Sequence, residues 1–374
     1  MNFEYSDEQQ QLADSVRKYL ANDYSFEKRK AIVHSPGGCS DAAWATFAEM
    51  GLTAIAVPEA DGGFGGGAVD LMAVMEAFGE ALVVEPLLEQ IGLCARLLAR
   101  AGSAAQRAAL LPGAIDGSLK LAYAGLEPGR RYELQPQTTQ ARRQGSGWVL
   151  DGAKSVVIGA PWAHKLLVSA RSGDAGGASL FIVDAQAVGV SMSPCRTVDG
   201  QRAAEVRLSG VSVGAGALLG PEGGALPFID EATDFATALL CAEAIGAMQF
   251  ANDTTLEYLK TRKQFGVPIA SFQVLQHRMV EMYIHTEQAR SMAILAAGTV
   301  DSASDAAVRQ RTVSAAKVKI ADAARQVSQE SVQLHGGMGM TEELKISHTF
   351  RRLTMIAQRF GDADHHLERY AALA

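Results

Sequence analysis

Thr261-Arg262-Lys263-Gln264-Phe265-Gly266-Val267-Pro268-Ile269-Ala270-Ser271-Phe272-Gln273 sets two cations, an aromatic ring and a Gly-Val-Pro turn between long helical patterns. A loop of this make-up can hold a pyrophosphate through its arginine, whose planar fork suits paired oxygens, while the ring covers an apolar or stacking surface. The same composition also suits a plain helix–helix turn with a solvated Arg-Lys pair. Its surroundings decide between the two.

Outward from the loop the chain reads as helix on both sides. Ala232–Lys260, Phe272–Thr299, Ser304–Leu334 and Glu342–Arg359 are long enough for a multi-helix bundle that also supplies an oligomer interface. Further upstream the pattern changes near residue 118. Leu121–Ala124, Gly147–Asp151, Ser155–Ile158, Lys165–Ala170, Leu180–Val183 and Ala204–Leu208 are short runs split by Gly, Pro, Asp and Ser, which predicts an antiparallel β-barrel or sandwich. The first third is helical again. Ser6 and Gln9 form a capping-box start, Leu12, Val16 and Leu20 share a face, and helices are expected around Asp41–Met50, Ala68–Gly79, Pro86–Ala101 and Ser103–Ile115. Gly62-Gly63-Phe64-Gly65-Gly66-Gly67 follows no strand, so it reads as a flexible connection near a ligand entrance rather than a dinucleotide phosphate loop. The expected architecture is α+β and multidomain: an N-terminal helical domain over 1–117, a middle antiparallel β-barrel over 118–225 and a C-terminal helical bundle over 226–374.

Composition limits the partners. A net charge of −7 argues against nucleic acid, whose phosphates reward clustered cations. Cys39, Cys94, Cys195 and Cys241 are scattered without a C-x-x-C pair, so neither a disulfide framework nor a zinc site is expected and a cytoplasmic setting fits best. No apolar run is long enough for a membrane span, and the acidic start Met1–Glu8 lacks a basic signal-peptide region.

A second set of motifs gives the loop its context. Met50-Gly51-Leu52, Val57-Pro58-Glu59, Gly62–Gly65 and Met75-Glu76-Ala77-Phe78-Gly79 precede Leu126-Glu127-Pro128-Gly129 and Gly152-Ala153-Lys154. The Arg262–Gln273 loop is then followed by Gln333-Leu334-His335-Gly336-Gly337-Met338-Gly339. In this order the chain resembles the acyl-CoA dehydrogenase family over nearly its whole length. The resemblance implies FAD as cofactor and α,β-dehydrogenation of an acyl-CoA thioester to the trans-2-enoyl-CoA. It places Arg262, Phe265 and Gln273 on the pyrophosphate and adenine side of FAD, Gln333, Gly336 and Gly337 against FAD from a neighbouring subunit, and Leu126 at the flavin edge. Electron transfer flavoprotein is the implied acceptor, and a tetramer built on the C-terminal helices the implied assembly.

The resemblance breaks where the chemistry should be. The family's base-bearing Tyr-Glu-Gly-Thr segment is Arg359-Phe360-Gly361-Asp362 here, so phenylalanine stands at the base position. The alternative base position on the first long C-terminal helix is Ala236. Leu126, Tyr132 and Ile158 replace hydroxyl residues that commonly face the cofactor. Asp362 could substitute as base, although it also suits an N-cap for a helix beginning near Ala363. Glu243 could do so too, although a buried Glu between Ala242 and Ala244 demands a partner. Asp234 is expected at the solvated outer end of that helix. His365-His366 is not expected to bind metal, because adjacent helical side chains point about 100° apart. Phe360-Gly361-Asp362-Ala363-Asp364-His365-His366-Leu367 is similar to the small-subunit branch of pimeloyl-CoA dehydrogenases, which implies dicarboxyl-CoA substrates, with Arg351 and Arg352 as candidates for an acidic acyl end. Three functional expectations follow, the first two being an autonomous dehydrogenase with a relocated base and a base-lacking FAD-site subunit completed by a large dehydrogenase subunit in a heterotetramer. A CoA- or flavin-binding protein without dehydrogenation is the third.

Overall fold

The computed structural model describes residues 5–173 and 176–373; the first four residues of the acidic start lie outside them. Helices α1 (Asp7–Asp23), α2 (Phe26–His34), α3 (Asp41–Glu49) and α4 (Ala68–Ala81) lead to a π-helical stretch at Leu88–Ala95, which runs into α5 (Arg96–Ala101) and α6 (Ala104–Ile115). Eight strands follow: β1 (Leu121–Ala124), β2 (Gln140–Gln144), β3 (Gly147–Ile158), β4 (Lys165–Ser172), β5 (Gly177–Asp184), β6 (Val190–Arg196), β7 (Arg202–Val213) and β8 (Leu218–Leu219). Helix α7 (Leu226–Thr261), a small hairpin of β9 (Lys263–Gln264) and β10 (Val267–Pro268), then α8 (Gln273–Val300), α9 (Ala306–His335), α10 (Lys345–Gln358) and α11 (Ala363–Ala372) complete the chain. The expected α, β, α order is present.

Two compact units can be distinguished. One contains the described residues of Met1–Lys30, Ala68–Val83 and Thr237–Ala374. Ser6 caps α1 through the expected box with Gln9, and Val16 and Leu20 are buried beneath it. Helix α4 crosses α7 so closely that a Cβ on Gly79 would lie 1.9 Å from Glu243 O, and one on Gly246 would lie 1.8 Å from Glu76 O. Only hydrogen fits at either position, and the flanking Ala242, Ala244 and Ala247 keep the seam narrow. Helix α9 packs against α8, α10 and α11.

The other unit contains Ala31–Gly67 and Val84–Ala236. Its sheet runs β6-β7-β3-β2-β4-β5-β8, with β1 paired to β4. Pairing is mostly antiparallel, as expected, but β1 lies parallel to β4. The two runs read on either side of Gly152 form one strand, β3, with a register shift against β7 between Leu150 and Gly152 and another between Lys154 and Val157. Trp148, Leu166, Val168, Phe181 and Val206 fill the core. The glycine run at 62–67 is tied down rather than loose: Phe64 N, Gly65 N and Gly66 N donate to Ala54 O, Val57 O and Ile55 O.

Candidate active site and cofactor-binding elements

The loop that opened the sequence is a β-hairpin. Gln264 pairs with Val267, and the two residues between them, Phe265 and Gly266, have φ of 53° and 82°. Positive φ at both central positions matches a type I′ turn, which glycine accepts freely and phenylalanine does not. The strained Phe265 is 91% exposed, with Phe272 edge-on at 6.1 Å. Arg262 is anchored through its backbone, N to Tyr258 O at 2.8 Å and O to Ile269 N at 2.9 Å, and its exposed guanidinium has no carboxylate partner among the described residues. Gln273 begins α8 at the same loop, exposed.

The second predicted motif ends beside it. His335, the last residue of α9, stacks on Tyr258 of α7 at 4.4 Å and bonds Ser331 O at 2.8 Å. Burial lowers the pKa of His335, so the stack involves a neutral ring. Gly336 follows at φ 61°, ψ −143°, a region open to glycine alone, and a Cβ at Gly336 or Gly337 would meet no atom within 4 Å. Gln333 is exposed one turn earlier. Tyr258 and His335 therefore hold the two motifs at one end of this unit.

In the other unit, Leu126 is 37% exposed at the start of a loop whose next residue is buried. Glu127 accepts Gln137 N, Thr138 N, Thr138 Oγ1 and Thr139 N, and pairs with Lys154 Nζ at 3.2 Å. Burial pushes the Glu127 carboxyl up, but the Lys154 charge and the Thr139 and Thr138 N–H groups outweigh it and hold it well below the carboxylate range. Burial draws Lys154 down to about 8 against the opposing pull of Glu127. Gly152 and Lys154 stand inside β3, and Gly152 is needed because a Cβ there would sit 2.6 Å from Thr139 Cα. Ile158 is buried.

The segment at the base position is firmly built. Phe360 has φ 58°, its carbonyl faces His366 Nε2 at 3.1 Å, and Lys317 Nζ donates to Gly361 O at 2.6 Å and Ala357 O at 3.1 Å. His366 Nδ1 meets Ser314 Oγ at 3.2 Å. A phenylalanine in that backbone carries no acid–base function, and the Arg359 guanidinium lies 4.6 Å from its ring. Asp362 caps α11 through His365 N at 2.9 Å. Glu243 forms a buried bidentate pair with Arg352, Nε at 2.6 Å and Nη2 at 2.7 Å. The partner that a Glu between two alanines demands is thus an arginine from α10. Asp234, expected to be solvated, is 1% exposed: α7 begins at Leu226, so residue 234 lies two turns inside it. Arg351 pairs with Glu342, so both arginines considered for an acidic acyl end already face carboxylates. Lys317 escaped the sequence reading, although a lysine flanked by Ala315, Ala316 and Val318 was its signal.

Family-level comparison decides what these elements belong to. Residues 6–118, 122–211 and 226–372 match the N-terminal, middle and C-terminal domains of acyl-CoA dehydrogenase. The chain belongs to the acyl-CoA dehydrogenase family. It is 32% identical over 370 residues to acyl-CoA dehydrogenase FadE12 of Mycobacterium tuberculosis, covering 95% of this chain and 93% of that one. Among solved structures it is similar to the Tcur3481–Tcur3483 steroid ACAD, at 30% identity and TM-score 0.87 over 98% of this chain and 97% of that one. The ChsE4–ChsE5 complex of M. tuberculosis aligns at 26% identity and TM-score 0.90, over 100% and 98%.

Family membership makes the protein an oxidoreductase with FAD as its cofactor. The residues fit that group. An uncompensated guanidinium at Arg262, a solvent-facing ring at Phe265 and the open backbone at Gly336–Gly337 are features that a dinucleotide would cover. No described helix is long and apolar enough to cross a membrane.

Proposed function

We propose that this chain is the FAD-holding, base-lacking subunit of a heteromeric acyl-CoA dehydrogenase, whose assembled site converts an acyl-CoA thioester to the trans-2-enoyl-CoA. The observation that supports it is the engagement of the candidate bases: Phe360 is inert, Glu243 is held by both oxygens on Arg352, and Asp362 caps a helix. In this reading Arg262, Phe265 and Gln273 grip the pyrophosphate and adenine side of FAD. Gln333, Gly336 and Gly337 face it from the adjoining subunit, and Leu126 lies at the flavin edge. When bound, FAD supplies the two-electron acceptor for the β-hydrogen. The α-proton passes to a carboxylate of the partner chain. Two similar structures, Tcur3481–Tcur3483 and the ChsE4–ChsE5 complex, each carry a two-protein name, which favours this assembly. So does the exposed apolar set Val274, Val280, Tyr283 and Ile284 on α8, which suits a heterotetramer seam. Electron transfer flavoprotein is the expected acceptor, in the cytoplasm.

A second reading, autonomous dehydrogenation with Asp362 as base, draws on one observation: Asp362 lines a cleft with Asp322, Arg325 and Gln358. Anaerobic addition of acyl-CoA, including dicarboxyl-CoA thioesters, separates the two. The lone chain should stay yellow, and bleaching should appear only when it is co-purified with a base-bearing large subunit. Bleaching by the lone chain that Asp362→Asn abolishes would establish the second reading instead.

A further inference from the structure

Beneath the loop that carries Leu126 lies an ion pair for which the proposed reaction has no use. Lys154 is fully buried, and its ammonium donates to Gly125 O at 3.0 Å, Ser169 Oγ at 3.1 Å and Glu127 Oε1 at 3.2 Å. An ammonium has three donors, and each has an acceptor here. Glu127 extends the network to the 137–139 segment, and Thr139 Oγ1 returns to Ala153 O at 3.3 Å. Loop 125–129, segment 137–139, β3 and β4 thus meet at one point around the buried Lys154, Glu127, Thr139 and Ser169. Such a pair is a poor device for stability alone, because the desolvation of both charges offsets their attraction.

Its geometry has a direct consequence at the surface. Ser155 N donates to Leu126 O at 3.0 Å, so the residue after Lys154 carries the exposed loop. Val156 follows at φ 50°, an outlier for a β-branched residue, and is 44% exposed. A residue is held in that region only where its surroundings over-determine it. The Lys154 clamp lies two residues away. Leu126 and Val156, both exposed, are joined through the Ser155–Leu126 bond into one apolar ledge, which Val156 N also anchors by donating to Glu205 Oε1 at 3.1 Å.

We infer that Lys154 is a positioning residue that, through Gly125, Glu127 and Ser169, fixes the Leu126–Val156 ledge on which the flavin edge rests. The inference relies on the proposed placement of Leu126 at the flavin edge, but not on the partner chain or on the missing base. Lys154→Met is the test, read in two ways. In the FAD-free protein, amide hydrogen exchange at Ser155 should accelerate while exchange in the α7–α9 core stays unchanged. In the FAD-bound protein, the dissociation constant should rise by about tenfold or more, the span typical of lost outer-shell support, and the visible flavin band should shift. Should Lys154→Met fail to fold, Ser169→Ala, which removes one acceptor and no charge, should still speed Ser155 exchange and weaken FAD by a smaller factor. Unchanged Ser155 exchange together with wild-type FAD affinity and spectrum, in whichever of these variants folds, overturns the inference. If wild-type protein takes up no FAD, the proposed function fails, while the exchange measurement still decides whether Lys154 holds the loop.

Discussion

At the scale of single residues, Glu243 separates a structural carboxylate from a chemical one. Its two oxygens meet Nε and Nη2 of Arg352, and both side chains are 4% exposed. Glu243→Gln breaks a buried ion pair from one side, which should cost about 3–5 kcal/mol in urea unfolding. Glu243→Gln combined with Arg352→Met should recover part of that loss. A catalytic base would behave in the opposite way, with stability retained and flavin bleaching lost. The sequence showed that Glu243 needed a partner, since it stands between Ala242 and Ala244 on a buried face. It could not show which partner, because Arg352 lies 109 positions away and nothing local encodes that pairing. Phe360 was legible for the converse reason: a missing carboxylate shows in the side-chain identity itself.

At the scale of elements, the α4–α7 crossing makes the sharpest prediction. A Cβ on Gly246 would sit 1.8 Å from Glu76 O, a backbone atom that cannot rotate away, so the two helices would have to separate. Gly246→Ala should destabilise by about 1–3 kcal/mol, the usual cost of overpacking, despite alanine's better helix propensity. Gly79→Ala should do the same, and the double variant should cost less than the sum, because one separation serves both methyl groups. Gly298→Ala on α8 is the control: its Cβ would meet nothing within 4 Å, so a gain of about 0.5–1 kcal/mol is expected. If Gly246→Ala were neutral in thermal and urea unfolding, the close approach would be wrong. Helices were legible here because apolar spacing over many turns is a strong signal. Strands β2 and β6 were not. Gln140–Gln144 is largely polar, and Val190–Arg196 is mostly exposed, so neither shows the alternation of a half-buried strand.

At the scale of the molecule, the three-part architecture was readable because helix and strand periodicities change sharply near residue 118 and again near Leu226. The polar interior was not, and it sets the acid response. Burial lowers the pKa of His366 to about 2 and that of His348 to about 4, with Lys317 and Arg369 facing the first and Arg351 and Arg29 the second. Burial shifts His335 and His365 in the same direction. In the unfolded chain each histidine takes a proton near its ordinary pKa of about 6.5, while the folded protein takes it only at lower pH, much lower for His366 and His348. The unfolded state therefore binds more protons below that point, and stability falls as pH falls, by about 1.4 kcal/mol per pH unit for each fully shifted histidine. The carboxylate of Glu127 adds nothing in the window from pH 6.5 to 5, because both states keep it ionised there. The urea midpoint should thus drop steeply between pH 7 and pH 5, well before ordinary acid denaturation. His366→Gln removes one titrating ring at the base-position loop and should flatten that slope by about 1.4 kcal/mol per pH unit, even if it lowers stability at pH 7. An equally steep profile in His366→Gln would show that His366 accepts a proton in the folded state, and that its bond to the Phe360 carbonyl does not depend on a neutral ring.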